Sequence, residues 1–249
     1  MRPGQPGLTA WRWQYVPDLQ RFDDTPEPSI PRRGCLLMAS SEAQIVVQPG
    51  VRFGPLGGRW VHVCVDMQRL FGEATAWQTP WLPRVLPLVV RLVASAPERT
   101  IFTRFVPPAS AEKARGTWRR YYRRWAAMTL EQLDPALVAL MPELEAFVPP
   151  ARVIDKPVYS PWIGSTLLPD LARREVDTVV VSGAETEVCV LATVLGAIDL
   201  GFRTLVATDA VCSSADSTHD AMLEIYHSRF GMQVETATVE EIIAAARPA

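Results

Sequence analysis

A chain of 249 residues with a formal net charge of −2 and a pI near 6.0 has room for one sizeable α/β core, and its charge argues against nucleic acid or an anionic membrane as the main partner. Its four cysteines, Cys35, Cys64, Cys189 and Cys212, show no CxxC spacing, and a chain this long needs no disulfide staples, so a reducing cytoplasm is the expected setting. No apolar run approaches the ~20 residues of a membrane span, and the opening MRPGQPGLTAWRWQY has no apolar leader core.

Residues 1–58 are rich in Pro and Gly, with scattered aromatics (Trp11, Trp13, Tyr15) and two short extended stretches, Cys35–Met38 and Gln44–Val47. They are expected to form an arm or small hairpin ahead of a domain spanning 59–249. In Trp60–Asp66, WVHVCVD, the valines 61, 63 and 65 alternate with His62 and Cys64, and no carboxylate appears until the end. That is the pattern of a central strand. Asp66 then either sits where open α/β sheets place their ligands or caps the next turn.

Apolar periodicity predicts a helix over Pro80–Ala96 and a strand over Arg99–Arg104. Arg115–Ala127, RGTWRRYYRRWAA, is basic and aromatic, but it is isolated in an acidic chain, so it reads as a solvated helix or a lid near a site rather than a nucleic-acid patch. Arg152–Lys156 reads as a short strand stopped by Pro157, and Gly164–Arg174 as a helix. The stretch from Asp177 to Gly201, DTVVVSGAETEVCVLATVLGAIDLG, has the pattern of a buried strand, a tight turn at Ser182-Gly183 and a helix. Thr186 is a candidate N-cap. Cys189 falls in the first turn, where open N–H groups and the helix dipole favour a thiolate; a small buried residue at a helix–sheet contact is the other reading. Arg203–Asp209 (strand), Ser217–Arg229 (helix), Met232–Thr236 (strand) and Val239–Ala246 (helix) complete a βα alternation that predicts a parallel sheet covered on both faces.

Asp66, Lys156 and Cys189 thus end or follow three strands of one sheet. Lysine occurs only at 113 and 156, which makes the second one notable. If the three converge, Cys189 can attack a carbonyl carbon, Lys156 can stabilise the thiolate, and Asp66 can take the thiol proton and later deliver it to a leaving amine.

With these residues in order, the sequence resembles the isochorismatase-like cysteine hydrolases, the superfamily of nicotinamidases, N-carbamoylsarcosine amidases and ureidoacrylate amidohydrolases. The resemblance is carried by Asp66-Met67-Gln68 with Phe71, by Lys156 with Tyr159-Ser160 and Thr166-Leu167, and by Gly183-Ala184-Glu185-Thr186 followed by Cys189-Val190. Thr193, Ala197, Gly201 and Asp209-Ala210 match further positions. It implies a Rossmann-like three-layer α-β-α sandwich with a six-stranded parallel sheet, an Asp66-Lys156-Cys189 triad, a cis peptide at Ala184–Glu185, and backbone N–H groups of Glu185 and Cys189 as an oxyanion hole. It also suggests a homo-oligomer.

Two departures refine this. Nicotinamidases of the superfamily carry an Asp-x-His…His metal site where this chain reads Thr103-Arg104-Phe105-Val106-Pro107, and His62, His219 and His227 are not spaced as ligands; neither a metal nor a cofactor is expected. Isochorismatases that cleave a vinyl ether do not need a cysteine thioester, so Cys189 favours amide chemistry. Phe71, Trp77, Phe105, Tyr159 and Trp162 follow strand ends and are candidate pocket residues, with Arg104 a candidate for a substrate carboxylate. The expected function is hydrolysis of a small amide or carbamoyl compound. Vinyl-ether hydrolysis and a catalytically silent binding subunit are the alternatives.

Overall fold

A computed structural model of the chain describes residues 49–246; the two extended stretches expected at 35–38 and 44–47 lie outside them. Six strands form one parallel sheet in the order β3-β2-β1-β4-β5-β6: β1 Trp60–Val65, β2 Thr100–Phe105, β3 Arg152–Lys156, β4 Thr178–Ala184, β5 Arg203–Cys212 and β6 Val234–Ala237. The order reverses direction between β1 and β4, where an open α/β sheet leaves a crevice at its C-terminal edge. Helices α1 Arg69–Gly72, α2 Leu82–Ser95, α3 Thr117–Arg124, α4 Pro142–Glu145, α5 Leu167–Arg173, α6 Leu191–Asp199, α7 Asp216–Ser228 and α8 Val239–Ala246 lie between and after the strands.

Strand alternation divides the core in two. Trp60 and Cys64 of β1 pack with Val89 and Val93 of α2 and Ile242 of α8, whereas Val61, Val63 and Val65 pack with Leu171 of α5, Val194 of α6 and Tyr226 of α7. Both faces of β1 and β4 are fully buried, as the near-continuous valine runs require. The three-layer architecture is the one the sequence implies.

β5 runs past its expected end at Asp209. A register shift between Val181 and Gly183 of β4 lets Val211 and Cys212 pair with Gly183 and Ala184. The Asp209 carboxylate, which looked like a strand terminator, instead accepts the Val239 N–H at 2.8 Å, satisfying one of the open donors at the start of α8.

His62 occupies the middle of the sheet as a neutral side chain. Thr100 Oγ1 donates to the Ala96 carbonyl and so is free to accept from His62 Nδ1 (3.3 Å), leaving Nε2 to accept from Ser182 Oγ (2.7 Å). Burial holds its pKa down to about 3 from an ordinary 6.5. The unfolded chain takes up a proton here near pH 6.5 and the folded chain does not, so the stability present above that pH is lost as the pH falls toward 3. Urea denaturation should show a His62 contribution of about 1.4 kcal/mol per pH unit between roughly pH 6 and 4. His62→Gln should remove that part of the slope.

Candidate active site

The C-terminal edge of the sheet brings together the three residues of the candidate site. Asp66 follows β1 in a left-handed conformation (φ +51°) rare for a non-glycine residue. Thr103 of β2 fixes it there: the Asp66 N–H reaches the Thr103 carbonyl (3.1 Å) and Oγ1 (3.2 Å), and that hydroxyl donates to Asp66 Oδ1 at 2.7 Å. Lys156 is the last residue of β3. Its ammonium lies 2.7 Å from Asp66 Oδ2 and donates to Cys189 Sγ at 3.4 Å and to the Val158 carbonyl at 3.2 Å. The Lys156 and Asp66 side chains are both wholly buried.

Cys189 arrives by a different local structure from the one expected. The Ala184–Glu185 peptide is cis, and Thr186–Val190 forms a π-helical turn that feeds α6. Glu185, not Thr186, occupies the cap position, and it makes no side-chain cap bond. Thr186 instead spends its hydroxyl on His219 Nδ1, 2.9 Å away. Thr193 Oγ1 donates to the Cys189 carbonyl at 2.7 Å and ties the turn to α6.

The expected easy ionisation of Cys189 is also corrected. Burial pushes its thiol pKa well above the ordinary value, the Asp66 carboxylate beside it adds to the rise, and Lys156 opposes both. Burial acts to lower the Lys156 pKa, but the Asp66 carboxylate and the hydrogen bonds to Asp66 and Cys189 outweigh it and hold the lysine protonated. At rest the cluster is therefore a thiol beside a carboxylate–ammonium pair. Asp66 Oδ2, close to the ammonium, accepts no well-aligned hydrogen bond.

A cavity of about 360 Å³ opens onto Cys189. Phe71, Trp77, Phe105 and Tyr159, all expected from the sequence, line it. Gln68 sets this wall: its amide accepts from the Phe105 N–H (2.7 Å) and donates to the carbonyls of Phe105 (3.1 Å) and Val138 (2.8 Å).

The isochorismatase domain family matches residues 61–238, a span that holds all three strand-end residues and covers more than half of the chain. The chain belongs to this family. Maleamate amidohydrolase of Pseudomonas putida is 35% identical over 89 residues, covering 35% of this chain and 42% of that protein. An uncharacterised isochorismatase family protein of Bacillus subtilis is 32% identical over 103 residues, covering 39% and 53%. The matched stretches thus span about half the length of these relatives. Among solved structures, a cysteine hydrolase of Pseudomonas syringae superposes with TM-score 0.67 at 20% identity, over 82% of this chain and 97% of that one. N-carbamoylsarcosine amidase of Thermoplasma acidophilum superposes with TM-score 0.59 at 18% identity, over 74% and 98%. At these identities the likeness establishes the shared fold.

Two of the candidate pocket residues lie elsewhere. Arg104 points away from Phe105, as adjacent strand residues must, and its guanidinium clasps Asp155 of β3 at 2.7 and 3.0 Å. It is not available to a substrate carboxylate. Trp162 packs on α6, stacked on Phe202 with Nε1 donating to the Thr193 carbonyl at 2.9 Å; the bare face of Gly196 admits it. Among the described residues no group of three or more His, Cys, Asp or Glu is placed to hold a metal ion.

Sequence reasoning missed Tyr121 and Trp125, which come from the charged aromatic segment and form part of the cavity wall. Tyr121 lies in α3 and Trp125 is the residue that ends it; their i, i+4 spacing was the available signal. It also missed the side chain of Glu185, a residue of the cavity wall whose carboxylate accepts the Ser214 N–H at 3.2 Å. Thr103, the anchor of Asp66, lay unnoticed in the strand that carried Arg104.

Proposed function

We propose that this protein is a cysteine-dependent amidohydrolase that cleaves the C–N bond of a small amide or carbamoyl compound through a thioester. The observation that carries the reading is the buried Asp66–Lys156–Cys189 contact at the floor of an open cavity. As Sγ bonds to the substrate carbonyl carbon, Asp66 takes the thiol proton. The developing oxyanion is held by the backbone N–H groups of Glu185 and Cys189, and Lys156 keeps the negative charge that passes between thiol and carboxylate neutralised. Collapse of the adduct breaks the C–N bond, and protonated Asp66 gives its proton to the departing ammonia or amine. Water, deprotonated by Asp66, then attacks the thioester; the acid leaves and the thiol regains its proton.

The raised thiol pKa fits this sequence, because proton transfer to Asp66 accompanies attack and no standing thiolate is needed. The relative named as a maleamate amidohydrolase supports the same class of reaction.

Ammonia release from a panel of small amides, carbamoyl amino acids and ureido acids is the test. Wild type should turn over members of the panel, and Cys189→Ala should lose all measurable turnover while its urea unfolding curve stays close to that of wild type. Activity surviving in that variant would overturn the mechanism.

A further inference from the structure

The cavity's walls are more informative about the substrate than its floor. Six aromatic side chains, Phe71, Trp77, Phe105, Tyr121, Trp125 and Tyr159, line it. Trp77 is their hub, with ring centroids 5.9 Å from Phe105 and Tyr121, 6.3 Å from Phe71 and 6.5 Å, edge-on, from Trp125. On the side of the nucleophile stand Glu185 and Ser214.

The charges at this cavity do not cancel. Asp66 and Lys156 neutralise each other beneath Cys189. Glu185 has no Lys, Arg or His ion-pair partner among the described residues and receives one backbone N–H, from Ser214. Among the described residues no arginine or lysine lines the cavity. Lys156 approaches the ring of Phe105 (5.1 Å) but is committed to Asp66 and Cys189. Arg124 lies against the Trp125 ring (4.8 Å) without lining the cavity, and Arg104 is held by Asp155. Burial already pushes the Glu185 carboxyl up, and a cation beside it would relieve that penalty.

Aromatic faces carry the negative end of the ring quadrupole and attract cations most strongly when water is excluded. A wall of six rings with one carboxylate that has no ion-pair partner among the described residues therefore complements a positive, weakly hydrated group and repels an anion. We propose that the non-reacting end of the substrate is a cation, an alkylated ammonium group held against the aromatic wall with Glu185 as its counter-charge. This specifies the substrate class within the amidohydrolase reading above and rests on it.

The test compares isosteres. Homologous ω-trimethylammonio alkanamides and their uncharged ω-tert-butyl counterparts differ in charge at nearly constant shape, and the ω-carboxy amides carry the opposite charge. Ammonia release should give a kcat/KM for the cationic member at least about tenfold above that of its tert-butyl isostere, with the carboxylates poorest. Glu185→Gln should narrow the cation-to-neutral ratio several-fold, a change that a general loss of packing would not produce. Equal turnover of the isosteres, or preference for the carboxylates, would overturn the proposal.

Binding is read separately, without turnover, as protection of Cys189 from iodoacetamide, followed by mass spectrometry of the Cys189 peptide. Choline should protect at concentrations at least about tenfold lower than 3,3-dimethylbutan-1-ol, and less well in Glu185→Gln. If no amide is hydrolysed yet choline protects selectively, the amidohydrolase reading fails and the cation site stands. If choline protects no better than the alcohol, the cation site falls.

Discussion

Lys156→Met should unfold at a markedly lower urea concentration than wild type, losing about 3–5 kcal/mol of stability, and should show no measurable amide turnover. The ammonium of Lys156 is the only cation within reach of Asp66 among the described ion pairs, and both side chains are sealed from water. Removing it leaves a buried carboxylate with the Thr103 hydroxyl as its remaining side-chain partner, and an uncompensated charge in the interior is far costlier than a lost attraction. Pairing the change with Asp66→Asn separates stability from chemistry. Asparagine is neutral, can still accept from Thr103, and leaves nothing charged behind, so the double variant should recover most of the lost stability. It should recover no activity, since it has neither the base nor the cation. A Lys156→Met protein as stable as wild type would mean that Asp66 is not held as an ion; turnover in the double variant would remove both residues from the mechanism.

The sequence led to this pair because a parallel sheet gathers its strand ends along one edge. Asp66 and Lys156 close their strands and Cys189 follows a third in the turn after it, and no side-chain detail is needed to bring them together. What lay beyond that argument depended on finer periodicities. Arg104 and Phe105 were both taken toward the pocket although neighbouring strand residues face opposite ways; the buried aromatic faces the site, and the arginine, on the other side, meets Asp155 one strand over. Trp162 could have turned either way from its loop. It was drawn to α6 by the space over Gly196, which becomes visible only when the helix and the loop are seen together.

Tyr121 and Trp125 were hidden by the arginines around them. A segment reading RGTWRRYYRRWAA has the composition of an exposed helix, and only Tyr122 of α3 is fully buried; its pocket-facing aromatics belong to neither a core stripe nor a solvent face. The reactivity of Cys189 shows a different limit. Its place beside a helix start argued for a thiolate, but the helix opens with a π turn, and burial together with the Asp66 carboxylate pushes the thiol pKa up. Sequence position names the groups, while burial decides their resting charge.

Gly183→Ala should be the most damaging single-methyl change in the domain, with a loss of more than about 4 kcal/mol or failure to yield folded protein at all. Gly183 has φ +107°, and a Cβ there would lie 2.1 Å from the Val65 carbonyl oxygen and 2.7 Å from the Val65 nitrogen. Those atoms are backbone of the central strand, paired in register with Gly183 itself, so no rotamer change can clear them. The methyl would have to pry β1 from β4 one residue before Asp66 and just ahead of the turn that carries Cys189. Gly196→Ala is the control. Its Cβ would come 2.1 Å from Trp162 Cδ1, an equally close encounter but with a side chain, and displacement of that ring forfeits its bond to the Thr193 carbonyl and some stacking on Phe202. That overpacking should cost about 1–3 kcal/mol and leave the Asp66–Lys156–Cys189 contact in place. Urea denaturation of both variants, with the circular dichroism of whatever folds, decides the comparison. A Gly183→Ala protein no less stable than Gly196→Ala would mean that the strand contact beside Asp66 is looser than the backbone distances allow, and with it the fixed approach of carboxylate, ammonium and thiol on which the proposed chemistry rests.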